Sequence, residues 1–249
     1  MPLATPSGGI EELVDENSGK EIVTVPPVVS RFTDLTKMYE DFLHSEFGEE
    51  LENVVDVLTP FDINEFLQST VSFEDLDGYA SSTGWFVSCL MRNSYAAGHS
   101  QFTLDLRAIK PINSLGVSIK ATESKKVYVT VLGEAGDNCG SSCKNAVFNV
   151  DVVGTYLGNK AHNSLFVVTS ANEYLGNCAV DCTFEMGKKI IYTPGIRSDR
   201  CVFKSSDKDV IASIKEWHEV MTRGDAVLRC KDNRVVYVAP DGSEEVTLF

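Results

Sequence analysis

Seven cysteines and four histidines are the side chains of this chain best suited to chemistry. Two pairs carry a metal-like spacing, Cys139-x₃-Cys143 and Cys178-x₃-Cys182. Four thiolates in two such pairs are the donor set of a tetrahedral zinc or an iron–sulfur site, with zinc–sulfur distances of about 2.3 Å. Whether that chemistry is open to them depends on where the fold puts the pairs. Among His44, His99, His162 and His218, the candidate catalytic group is His99, which sits in the glycine-containing segment AAGHSQF ahead of the first strand-like run. Asp137-Asn138 could hold an ion, although a turn demands the same residue types. The chain has no phosphate loop, dinucleotide fingerprint, nucleophile elbow or two-histidine metal motif, so no cofactor is expected.

The elements that must position these groups are written as an internal repeat. Phe148, Phe166 and Phe184 stand 18 residues apart, and Gly140, Gly158 and Gly176 keep the same step. Gly195 and Phe203 follow after 19 residues and preserve the glycine-to-phenylalanine gap of 8. A unit this short buries its apolar face against copies of itself, which makes a solenoid. Two columns hold only small residues, Cys143, Ala161, Ala179 and Ser198, and Ala146, Ser164, Cys182 and Cys201, as tight turns require. Val150, Val168 and Met186 follow the phenylalanines by two, the period of an inward-facing strand. Gly136, Gly154 and Asn172 form a further column, expected to mark a left-handed corner of each coil. Asn145, Asn163 and Asp181 form a polar column, either a side-chain ladder or solvated turn positions. Eighteen residues are too few for two helices and a turn. A parallel β-helix with coils about 4.8 Å apart fits.

That geometry decides the cysteines. The two pairs lie 39 residues apart, a little over two coils, hence roughly 10 Å along the axis, which one metal cannot span. Cys139 and Cys143 read as small core residues, and no metal is expected. Cys182 and Cys201 share a column on adjacent coils with α-carbons about 5 Å apart, within disulfide range. An odd number of scattered cysteines favours a reduced stack. Tyr156 and Tyr174 share an outward column, and side by side they are candidate interface anchors. Packing beneath the N-terminal helices is the alternative for them.

The segments VVGTYLGNKAHNSLFVV and ANEYLGNCAVDCTFEM carry the pattern G-x-x-x-G-x-x-A-x-x-S-x-F-x-V. Over residues 127–205 this resembles the GXGXG domain, the right-handed β-helix found at the C-terminus of glutamate synthase large chains and in one component of formylmethanofuran dehydrogenase. The chain departs from it where Asn172 replaces the first glycine and where the spacing slips near Lys189-Ile190. The resemblance implies a right-handed β-helix acting as a scaffold and packing platform, without catalytic side chains of its own. The β-helical core of iron–sulfur assembly scaffolds is a more distant analogue.

Around the repeat, the reading is of a mainly β protein with N-terminal helices and a C-terminal α-β-β cap. Residues 1–30 are expected to form a loose arm, 31–98 a mainly helical region, 99–205 the solenoid and 206–249 the cap. Helices are expected from Thr33, over Leu51–Leu58 and over Asp62–Gln68, broken at Pro60, while the apolar run WFVSCLM suits strand or helix equally. In the cap, a helix from Ser206 or Asp207 should bury Val210, Ile211, Ile214, Trp217 and Val220. Strands Ala226–Cys230 and Val235–Ala239 should then pair through a hairpin turn at Asp232-Asn233.

A net charge of −14 opposes electrostatic binding of nucleic acid or an anionic membrane. Apolar runs are only strand-length, and residues 1–20 lack a charged start followed by an apolar core, so a cytoplasmic protein is expected. The leading functional expectation is a non-catalytic scaffold or assembly module binding another protein. An enzyme with a site where the N-terminal region meets the first coils is the alternative. A third reading is a homo-oligomer formed through an exposed strand edge.

Overall fold

In the computed structural model of the chain, Phe148, Phe166, Phe184 and Phe203 are fully buried in one stack. Successive ring centroids lie 5.4, 5.0 and 5.2 Å apart, with the planes tilted by only 13°, 6° and 8°. The structure describes residues 32–44, 56–190, 194–223 and 230–249, and Asp34–Phe249 forms one compact unit. The expected loose arm lies outside the described residues.

The stack is the inner face of one eight-stranded sheet whose strands follow in chain order. They are β1 (Gln101–Asp105), β2 (Val127–Ala135), β3 (Ala146–Val153), β4 (Leu165–Ala171), β5 (Thr183–Ile190), β6 (Val202–Ser205), β7 (Arg234–Val238) and β8 (Glu244–Leu248). All neighbours are parallel except β7 and β8. The register runs Phe102, Val129, Phe148, Phe166, Phe184, Phe203, Val235, so the inward column continues beyond the regular repeat at both ends. Outside the strands, isolated bridges link Lys120, Lys144, His162, Val180, Asp199 and Lys231 from coil to coil. The chain is a parallel β-solenoid, as the repeat requires.

The 8-residue gap has a steric cause. A Cβ on Gly158, Gly176 or Gly195 would lie 2.8, 2.7 or 2.6 Å from the ring eight residues on, and one on Gly140 would lie 3.1 Å from Phe148 and 2.7 Å from Phe166 of the next coil. These glycines are left-handed, with φ between 63° and 75°. The column Gly136, Gly154 and Asn172 is not left-handed, contrary to expectation. Its glycines answer a different demand. A Cβ on Gly136 would stand 2.1 Å from Asn113 Oδ1, and one on Gly154 2.2 Å from Asp137 Oδ1. Those oxygens accept hydrogen bonds from the amides of Asp137 (2.8 Å) and Thr155 (2.7 Å). One coil on, Thr155 replaces the carboxylate and the column admits an exposed Asn172. The 19-residue step is a β-bulge in β5: Val168 pairs with Met186 but Ser170 with Lys189, which accommodates one extra residue beside Gly187.

Helices close the first coil. They are α1 (Thr33–His44), α2 (Pro60–Ser69), a 3₁₀ turn (Thr70–Phe73) and α3 (Tyr79–Ala96). Pro60 begins α2 rather than breaking a helix, behind a capping box of Thr59 and Asp62. Of the helix expected over Leu51–Leu58, residues 56–58 are not helical and 51–55 lie outside the described residues. WFVSCLM is helical within α3, where Ser88 Oγ donates to Ser114 O (3.0 Å) and accepts from the Gly116 amide (2.8 Å). Gly84 packs against the same turn so closely that a Cβ would fall 1.6 Å from Asn113 O. Tyr39 of α1 meets Phe66 and Phe86 edge-on at 5.6 and 5.3 Å, which ties the three helices into a core of their own.

At the other end lies α4 (Lys208–Arg223), whose buried stripe is Val210, Ile211, Ile214 and His218. Val220 is exposed and Trp217 only partly buried, so His218, one helical turn after Ile214, takes the place expected for them. The cap keeps its α-β-β order with different pairing. Residues 226–229 lie outside the described residues, and Cys230–Asn233 form the turn of a further coil, with Lys231 bridged to Asp199. β7 therefore joins β6 in parallel, and the hairpin is β7–β8, turning through Pro240-Asp241-Gly242. Among the described residues no helix is long and apolar enough to cross a membrane.

Close approach at Gly154 and its absence at Asn172 make different predictions within one column. Gly154→Ala should cost about 1–3 kcal/mol by overpacking against Asp137, whereas Asn172→Ala should stay within about 0.5 kcal/mol of the parent. Chemical denaturation of the two variants checks this.

Candidate interaction surface

Tyr156 and Tyr174 occupy equivalent turn positions of adjacent coils, two residues before the left-handed glycines. Their rings stack with centroids 4.8 Å apart and planes within 9°. Both residues are partly exposed, and both are left-handed, with φ of 63° and 62°. The same position in the two preceding coils is held by Ser114 and Asn138, also left-handed. A small polar residue suits that backbone, and a bulky side chain there costs about 1–2 kcal/mol. The backbone itself is tied coil to coil, with Tyr156 N donating to Glu173 O at 2.9 Å. Neither tyrosine hydroxyl has a hydrogen-bond partner among the described residues, and the aromatic contact of each ring is with the other.

Polar ladders flank this pair. Asn177 Nδ2 donates to Asn159 Oδ1 at 3.1 Å, and Asn163 Nδ2 to Asn145 Oδ1 at 2.6 Å. The latter column ends in a bidentate Arg200–Asp181 pair at 2.7 and 2.8 Å, which holds the Asp181 carboxyl below its usual range. The Asn145 column is therefore a side-chain ladder.

The outer face of the sheet offers a second surface. Val147, Leu165, Thr183 and Val202 align in one outward column, and Asn149, Val167, Glu185 and Lys204 in the next. Beside the β5 bulge, the face dips into a groove of about 360 Å³ lined by Asn149, Thr169, Glu185, Gly187 and Lys204. Sequence reasoning did not reach this groove. Its one signal was the 19-residue step.

A cleft of about 490 Å³ does lie where the end of α3 crosses the first coil, lined by Arg92, Tyr95, Ala96, Ser118, Ile119 and Lys120. His99 is not among its lining residues; its amide donates to Ser94 O at 3.1 Å. The Tyr95 hydroxyl is already engaged, donating to Lys125 O (2.7 Å) and accepting from the Thr122 amide (3.0 Å). No carboxylate or imidazole stands among the described lining residues.

The buried histidine is His218. Its Nδ1 lies 3.0 Å from Ile214 O, and its ring meets Phe203 at 5.3 Å and Phe249 at 5.0 Å, terminating the phenylalanine stack. Burial holds its pKa below the ordinary value, against a smaller opposing effect of the Ile214 carbonyl. His162 is exposed.

Cys139 and Cys143 are fully buried, and burial pushes both thiols up to about 12. Thiols so far from ionisation are poor nucleophiles. Cys178 is partly exposed while Cys182 faces the core, so that pair does not converge on one point. Cys182 and Cys201 are free thiols donating to Val180 O (3.3 Å) and Asp199 O (3.5 Å). The bond to Cys182, then burial, raises the Cys201 pKa. Among the described residues no group of three or more His, Cys, Asp or Glu side chains is placed to hold a metal ion.

Comparison with protein-family models, with curated proteins and with solved structures returns no match.

His218 makes the end of the stack sensitive to pH. Its folded pKa lies below the unfolded value of 6.5, so the unfolded state takes up the proton first. Its contribution is complete above about pH 6.5 and is lost as the pH falls toward the depressed folded value. Denaturant midpoints measured at about pH 7 and about pH 5 should differ more in the parent than in His218→Phe. Equal differences would contradict the assignment.

Proposed function

We propose that this protein is a non-catalytic β-solenoid scaffold or assembly module whose turn face binds another protein through Tyr156 and Tyr174. The observation that carries the reading is the stacked pair itself, two partly exposed rings held at backbone positions that disfavour them. Residues kept in a costly conformation concentrate where function requires them. A tyrosine presents a rigid apolar ring with a polar tip, and a stacked pair presents a broad plate of this kind with both hydroxyls unengaged. The aliphatic outer column of the sheet supports the same reading, because both faces of a parallel sheet are ordinarily covered. The resemblance of the coils to the GXGXG domain points the same way.

The cleft beneath the end of α3 supports the alternative, an enzyme acting between the N-terminal region and the first coils, less well. Arg92 and Lys120 could hold an anionic group there, but the lining supplies no general base.

The test is the double substitution Tyr156→Asn/Tyr174→Asn, since asparagine already occupies this position as Asn138. We expect association with the partner to be lost while the melting temperature holds or rises, because the left-handed backbone is relieved. A fall of several degrees with association intact would make the tyrosines internal packing and remove the proposed surface.

A further inference from the structure

We infer that the protein forms a two-fold dimer in which β8 pairs antiparallel with β8 of a second copy. This goes beyond the scaffold reading and does not depend on the tyrosines.

The two edges of the sheet are treated differently. At the β1 edge, Asn64 Oδ1 accepts from the Asp105 amide at 2.8 Å and Gln68 Nε2 donates to the Asp105 carbonyl at 2.6 Å. These two side chains, one turn apart on α2, stand in for a neighbouring strand at Asp105. At the β8 edge, no described residue does the same.

The backbone of β8 shows which groups are open. Asn233 and Phe249 exchange both hydrogen bonds at 3.0 Å, and Ala239 N donates to Ser243 O at 2.9 Å. Bonded pairs alternate along an antiparallel ladder, so Val235–Thr247 and Tyr237–Glu245 are bonded pairs as well. The N–H and C=O groups of Glu244, Val246 and Leu248 therefore point away from β7, into the open edge. The same three side chains lie on the outer face, where Glu244 pairs with Lys204 at 2.7 Å. Val246 is 52% exposed and Leu248 75% exposed, a poor arrangement for a solitary edge.

A two-fold axis at Val246 satisfies all of these groups. Val246 meets Val246 of the second copy, Glu244 lies opposite Leu248 and Glu245 opposite Thr247. About six backbone hydrogen bonds form, and no acid faces an acid. The register centred on Glu245 instead sets that carboxylate against itself. The register centred on Val246 uses the same strand on both copies, so the contact is isologous and ends at a dimer rather than a fibre.

The experiment is analytical ultracentrifugation of the full chain across a concentration series. The parent should approach twice the 27.3 kDa chain mass, whereas Val246→Pro should remain a monomer with an unchanged circular dichroism spectrum. Proline removes an N–H that points outward and leaves the β7–β8 bonds intact. A parent that stays monomeric, or a folded Val246→Pro that still dimerises, overturns the proposal. If Val246→Pro does not fold, Val246→Cys decides. Across the axis the two α-carbons would lie about 5.5 Å apart, so mild oxidation should give a covalent dimer. Absence of that species would overturn the proposal.

Discussion

Every regular coil of this solenoid is held by a phenylalanine ring lying where a glycine side chain would otherwise be. The ring needs the glycine eight residues before it because the turn passes so close that a Cβ would fall well inside van der Waals contact. This pairing survives the slip in coil four. The extra residue sits in the β5 bulge, after Phe184 and before Gly195, so the Gly195–Phe203 unit stays intact. The chain tolerates an insertion on the way from ring to glycine and keeps the way from glycine to ring unchanged. The groove on the outer face lies beside that tolerated insertion.

A stack of rings must end somewhere, and each end is solved with different chemistry. Toward the first coil, the column passes through Val129 to Phe102, and α2 and α3 supply side-chain hydrogen bonds to strand and turn. Toward the last, His218 closes over Phe203 and is itself met by Phe249, and α4 buries a stripe that includes the histidine. At the helical end, side chains of α2 bond the edge backbone at Asp105. The strand end carries outward backbone groups and two exposed aliphatic side chains. That asymmetry is why association is proposed to be two-fold.

Much of this was legible because a repeat is periodic and stacking is periodic too. The phenylalanine column, the small-residue columns, the inward Val150, Val168 and Met186, and the shared position of Tyr156 and Tyr174 all follow from counting. Glycine was the ambiguous letter. It serves close approach alone at Gly154 and close approach together with left-handed backbone at Gly158, and the residue type does not separate the two. Left-handed positions filled by Lys160, Cys178 and Arg197 carried no signal at all. In the cap, Asp232-Asn233 has the composition of a hairpin turn, yet it continues the left-handed column of Asp181 and Arg200 into a further coil. Pro240-Asp241-Gly242 was the stronger turn signal. His218 took the place expected for Trp217 and Val220 because the end of an aromatic stack favours a flat ring that can also bond Ile214. His99 stood out only through its loop, which the structure places outside the cleft lining.

The central claim is that ring and glycine are one packing unit, and a double-mutant cycle of Gly176→Ala and Phe184→Leu tests it most directly. The left-handed strain at residue 176 is present whichever side chain fills position 184, so it cancels in the cycle. The coupling then reports the ring contact, 2.7 Å from the added methyl. We expect the double variant to be more stable than the sum of the two losses by about 1 kcal/mol or more. Additivity to within about 0.5 kcal/mol would show that the ring does not fill the glycine's space.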